Sequence, residues 1–113
     1  MELRDMLQIL AKQDGSDLYL STGAPPCAKF NGALRPLNEM PLEPGEVARI
    51  AADLMDSEQK QQFEKELEMN LAISLPQIGR FRVNIFKQRN EVSLVARNIK
   101  TEIPRFEDLK LPP

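Results

Sequence analysis

Residues 79–99, G-R-F-R-V-N-I-F-K-Q-R-N-E-V-S-L-V-A-R-N-I, decide the fold of this chain. Phe81, Val83 and Ile85 alternate with Arg80, Arg82 and Asn84, the two-residue period of a half-buried strand. Arg89-Asn90 reads as a two-residue turn, because asparagine tolerates positive φ. Residues 91–99 are then the returning strand. This turn fixes the register. Ile85 faces Leu94 and Val83 faces Ala96, which makes one face apolar. On the other face Arg82 sits opposite Arg97, with Arg80 two residues along. A slip of one residue would put the two arginines on opposite faces. Like charges directly opposite destabilise a strand pair. Two readings answer that conflict. The guanidiniums splay into solvent or pair with acidic helices, or they hold a phosphate or carboxylate whose geometry their planar forks match.

Working outward, residues 70–75 alternate again through Leu71, Ile73 and Leu75 and read as a strand, turned into the hairpin by Pro76-Gln77-Ile78-Gly79. Two helices precede it. Val47, Ile50, Ala51 and Leu54 recur at helical spacing, with Pro44 near the first turn. Residues 57–67 form a polar helix with Phe63 and Leu67 facing inward and a solvated E-K-E-L-E face. Asp56 and Gln59 resemble its capping box. Further upstream, Asn31-Gly32 is a hairpin turn within residues 27–37, and Leu18 and Leu20 alternate with Asp17 and Tyr19 as a strand. Leu3, Met6, Leu7 and Leu10 mark an opening helix that Asp14-Gly15 ends, with Gly15 in the left-handed cap. After Ile99 periodicity fades. Residues 101–104 read as extended and 105–110 as one helical turn. No strand–helix–strand repeat occurs, so the expected class is α+β, an antiparallel sheet of about six strands with helices packed on it.

The chain of 113 residues suits one domain. Its 15 basic and 17 acidic residues create no bulk field for nucleic acid or membrane. With five Phe, one Tyr and no Trp it lacks a base-stacking platform. There is no histidine, which removes the usual general base and the commonest metal ligand. Cys27 stands alone and reads as a small, partly buried strand residue. The opening M-E-L-R-D is no signal peptide, and no apolar run reaches the length of a membrane span, so the chain reads as cytoplasmic. It contains no G-x4-G-K-S/T loop and no G-x-S-x-G elbow. No carboxylate pair is marked as an acid/base couple, and a free-standing enzyme is not expected. The ending at Leu-Pro-Pro suggests a piece of something longer.

Several stretches carry a resemblance. They are S-D-L-Y-L-S (16–21), A-P-P (24–26), N-G (31–32), M-D-S-E-Q-K-Q-Q-F (55–63), G-R-F-R-V-N-I-F-x-Q-R (79–89) and I-P-R-F-E-D-L-K-L-P (103–112). In this order they resemble the N-terminal domain of the type IV pilus retraction ATPases, the PilT/PilU twitching-motility family of the secretion-ATPase superfamily. Position 19 departs from the pattern, with Tyr where relatives often carry His. The resemblance implies a PAS-like domain over residues 1–110 and, from residue 111, the start of a linker to a RecA-like ATPase domain that this chain lacks. It implies a hexameric ring against the pilus inner-membrane platform, with ATP and Mg in the full-length protein and none held by this chain alone. By the same resemblance Arg82 and Arg97, with Arg80 a further candidate, meet the nucleotide phosphates from an N-terminal domain packed on its own or a neighbouring ATPase domain. The isolated chain is expected to be a weakly associating monomer. Two other classes stand beside this one. They are a stand-alone sensor with a small ligand in a PAS-like pocket, and an adaptor whose arginines bind a partner's carboxylates.

Overall fold

The computed structural model describes residues 2–99. The expectations for residues 101–110 and for the linker at 111–113 lie outside the described residues. Helix α1 (Leu3–Lys12) leads into strand β1 (Asp17–Leu20), and β2 (Cys27–Phe30) and β3 (Ala33–Pro36) follow. Helices α2 (Glu46–Leu54) and α3 (Ser57–Glu66) come next, then β4 (Glu68–Leu75), β5 (Gly79–Gln88) and β6 (Glu91–Ile99). The six strands form one sheet in the order β3-β2-β1-β6-β5-β4, every neighbouring pair antiparallel. Each half is a meander of three sequential strands, and β1 beside β6 joins the halves. The expected α+β architecture is the observed one.

The decisive hairpin forms in the expected register. Ile85 pairs with Leu94, Val83 with Ala96 and Arg82 with Arg97. Arg89 and Asn90 both take positive φ, 55° and 67°, as a twist-matched two-residue turn requires. Asn31 and Gly32 do the same at the other hairpin, at 52° and 82°. The period-two pattern then sends most of the strands' apolar positions one way. Leu18, Leu20, Ala28, Phe81, Val83, Ile85, Leu94 and Ala96 are fully buried. Met6, Leu7 and Leu10 of α1, Val47 and Ala51 of α2 and Phe63 of α3 close over them. All three helices therefore supply buried residues to a single layer, and the opposite sheet face carries the polar alternates.

Capping fixes where α3 starts. Gln59 N–H donates to Asp56 Oδ1 at 2.8 Å, and Asp56 N–H donates back to Gln59 Oε1 at 3.0 Å, the reciprocal box read from the sequence. Its far end differs from expectation. Leu67 does not face inward. It is 47% exposed and sits left-handed at φ 60°. The chain must pass at once from helix to strand, and residue 67 makes that reversal. Its N–H donates to Phe63 O at 2.7 Å, and its carbonyl accepts from Lys87 N–H at 3.0 Å. Phe63 alone anchors α3 in the core.

Gly15 is also corrected. The left-handed residue after α1 is Asp14, at φ 59°. Gly15 is needed for space, because a Cβ there would lie 2.6 Å from Leu10 Cδ1 and 2.8 Å from Phe30 Cε1. Its backbone passes between the first helix and the β2 core residue with no room for a methyl group. Gly15→Ala is expected to lower unfolding stability by about 1–3 kcal/mol through overpacking, read as a drop in the urea midpoint at unchanged m-value. In contrast, Arg89→Asn combined with Asn90→Gly relieves two left-handed side chains, and is expected to raise stability by up to about 1 kcal/mol in the same titration.

Candidate functional site: a cationic row on the open sheet face

Strand register builds the site. Reading across the open face, Ala72 of β4, Arg82 of β5, Arg97 of β6, Asp17 of β1, Lys29 of β2 and Leu34 of β3 are mutual partners in sequence across the sheet. Arg80, two residues from Arg82, pairs with Ile99 and Ser74 one step along. The next row on the other side is Asn70, Asn84, Val95, Tyr19, Cys27 and Pro36. Tyr19 thus lies beside the cationic row, half-buried against the open face. Cys27 is half-buried as expected, its Sγ donating to Pro25 O at 3.3 Å.

The two central arginines differ in how they are held. Arg97 Nε donates to Asp17 Oδ1 at 3.3 Å. Asp17 is itself 8% exposed, and its Oδ2 accepts from Ser16 Oγ at 2.9 Å. A carboxylate buried this deeply needs its partners, since an uncompensated buried charge is costly. The bond through Nε aims the rest of the guanidinium outward, and the Arg97 side chain stays 73% exposed. Arg82 and Arg80 are exposed and, among the described residues, make no hydrogen bond or ion pair. Arg82 borders a shallow depression with Asn70, Leu71 and Ala72. Nearby, Asn84 Nδ2 donates to Asn70 Oδ1 at 2.8 Å and to Glu68 Oε2 at 3.1 Å. That engages the acid at the β4 end away from the arginines.

The geometry revises the first reading of the like-charge pair for Arg97 alone. Arg97 neither splays into solvent nor pairs with a helix; it pairs with the neighbouring strand. Arg82, Arg97 and Lys29 then stand in one row against the single carboxylate of Asp17. The arrangement can bind an anion electrostatically, because guanidinium forks suit phosphate or carboxylate oxygens. Among the described residues no group of three or more His, Cys, Asp or Glu is placed to hold a metal ion. No helix among them is long and apolar enough to cross a membrane.

Sequence reasoning brought Arg80, Arg82 and Arg97 to one face. It missed Asp17, Ser16 and Lys29. The signal for Asp17 was present, since aspartate is depleted in strands and this one begins a strand of buried leucines. Lys29 could be placed only by knowing that β1 lies between β2 and β6.

No family model matches the chain. Over 112 residues it is 42% identical to the type IV pilus ATPase PilU of Pseudomonas aeruginosa, covering 99% of this chain and 29% of that protein. It is 37% identical over 109 residues to the type IV pilus retraction ATPase PilT of the same organism, covering 96% of this chain and 32% of that protein. The chain thus spans about a third of the length of the curated relatives it matches. The crystal structure of the pilus retraction motor PilT with bound ADP superimposes with a TM-score of 0.83 at 29% identity, over 99% of this chain and 33% of that one.

The Asp17–Arg97 link generates its own expectation. Arg97→Ala leaves the buried Asp17 carboxylate without its cation and is expected to cost about 1–3 kcal/mol in chemical denaturation. Pairing it with Asp17→Asn should recover part of that loss, and a double-mutant cycle that shows strict additivity would exclude the coupling.

Proposed function

We propose, for a chain that belongs with the N-terminal region of the PilT/PilU family of type IV pilus ATPases, that it is the N-terminal domain of a hexameric pilus-retraction motor serving twitching motility. In this reading it is a PAS-like domain on the cytoplasmic side of the inner membrane. It docks its open sheet face on a RecA-like ATPase domain of its own or a neighbouring subunit. Arg82 and Arg97, with Arg80 at the margin, form one wall of the nucleotide site. The observation that carries the reading is the row of outward guanidiniums on a sheet face that no helix covers among the described residues. The relatives, two pilus ATPases and a retraction motor with bound ADP, supply the anion in this reading.

The chemistry asked of this chain is electrostatic. The nucleotide and its magnesium, held by the ATPase part, supply the phosphoryl group and its metal clamp. Arg97, already oriented by Asp17, presents its outer nitrogens with little conformational entropy left to lose. Arg82 is unconstrained and orders only when an anion arrives. In an interface closed to water, both would stabilise charge that develops on the phosphate oxygens. Contacts that exist with a triphosphate and are lost with a diphosphate would make the docked and released positions of the domain respond to the nucleotide. Lys29, at the far end of the row, adds attraction without reaching the same point.

Replacing Arg82 by Ala in the full-length protein is expected to lower ATP turnover by about 10²-fold, the scale of removing one transition-state charge contact. The thermal unfolding of the domain should stay unchanged, because the side chain is exposed and unbonded. Steady-state ATPase assays decide the point, and unchanged turnover would refute the arginine's role. Loss of domain docking with turnover per assembled ring intact would indicate the adaptor reading instead.

A further inference from the structure

The two edges of the sheet are built differently. β3 is four residues long, carries Arg35 and ends in Pro36. Shortness, charge and proline all blunt an edge against pairing with another strand. β4 is eight residues long, and from Met69 to Leu75 it contains neither proline nor charge. Half of its backbone donors and acceptors bond to β5. The alternate half point away from the sheet, and among the described residues no strand lies beside them. The side chains show the same incompleteness. Met69 is buried, whereas Leu71, Ile73 and Leu75 are only half-buried. Ile73 and Leu75 border a groove against Leu3 of α1 and Ile50 and Leu54 of α2 along this edge strand.

We propose that β4 is a self-pairing edge, and that two copies of this chain join β4 to β4, antiparallel, about a two-fold axis at Ala72. The order M-N-L-A-I-S-L reads alike in chemical type from both ends. Antiparallel pairing about Ala72 places Met69 opposite Leu75, Asn70 opposite Ser74, and Leu71 opposite Ile73. Apolar side chains meet on the helix-covered side, and small polar ones meet on the open side. No like charges oppose each other, and Ala72 meets its own counterpart without a clash. The contact is isologous, so it closes as a dimer and does not grow into a fibre. Its size sets its strength. A strand edge about 24 Å long and about 10 Å high on each copy is below the roughly 1,000 Å² of a stable interface, so the pairing is weak and depends on concentration. The inference does not rest on the nucleotide reading.

Sedimentation equilibrium of the 113-residue chain between about 10 μM and about 1 mM, where weak contacts of this size report, tests it. A reversible monomer–dimer equilibrium is expected. Ala72→Glu sets two carboxylates face to face across the axis and should weaken the dimer at least about 10-fold. Within one copy the new carboxylate lies in register with Arg82, so the fold is spared. Ala72→Lys should weaken self-association similarly, and an equimolar mixture of the two variants should associate again as a mixed dimer. Alternate β4 amides of the unaltered chain should exchange hydrogen more slowly as concentration rises, a readout that needs no variant. The proposal is overturned if the unaltered chain stays monomeric throughout the range. It is equally overturned if folded Ala72→Glu dimerises as before, or if the β4 amides exchange at a rate independent of concentration.

Discussion

The short pairing of β1 with β6 is the constraint on which the rest depends. Four residue pairs, Asp17 with Arg97 through Leu20 with Leu94, join two meanders that are otherwise separate in sequence. The alignment sets both faces of the sheet at once. On the inner face Leu18 comes against Ala96 and Leu20 against Leu94, so the apolar rows of the two halves become one floor for the helices. On the outer face the same register brings the carboxylate of Asp17 to Arg97. A shift of one residue would bury the charges and expose the leucines. Core and candidate site are therefore specified by the same alignment and cannot be altered independently.

One-sided burial explains why the outer face can be functional. The three helices all supply core residues to the same side, and α2 and α3 form the crossing from the β3 edge to the β4 edge. The other side is left with guanidiniums, an ammonium, amides and a few half-buried apolar groups such as Tyr19 and Val95. An antiparallel sheet tolerates one solvated face. This one concentrates its cations in a single line across the strands, and the two arginines at its centre are held in opposite ways, one tethered and the other free.

Much of this was legible in the residues. Period-two alternation, two asparagine-centred turns and a reciprocal cap gave elements, class and the Arg82–Arg97 register. Local chemistry carries those signals, and local chemistry is visible in one sequence. What was missed required knowing which strands are neighbours. Asp17 and Lys29 join the arginines through pairings that span 80 and 12 residues of chain. Gly15 looked like a helix terminator because glycine ends helices. The reason for it lies in the Phe30 ring, which only the folded core brings near. Leu67 fitted a helical pattern, but the immediate demand for a strand at Glu68 overrode its preference for burial.

The β1–β6 pairing also has a direction. β1 begins at Asp17 and β6 runs on to Ile99, and because the strands are antiparallel these two points lie at the same end of the ladder. Tension applied through the chain leading into β1 and the chain leaving β6 would load the rungs one after another, beginning at the bond from Asn98 N–H to Ser16 O and then Asp17–Arg97, and not all together in shear. The β1–β6 ladder is thus mechanically soft when pulled from that end. Two side-chain bonds described at that end, Asn98 Nδ2 donating to Gly15 O at 3.0 Å and the Arg97–Asp17 ion pair, must part as the backbone unzips.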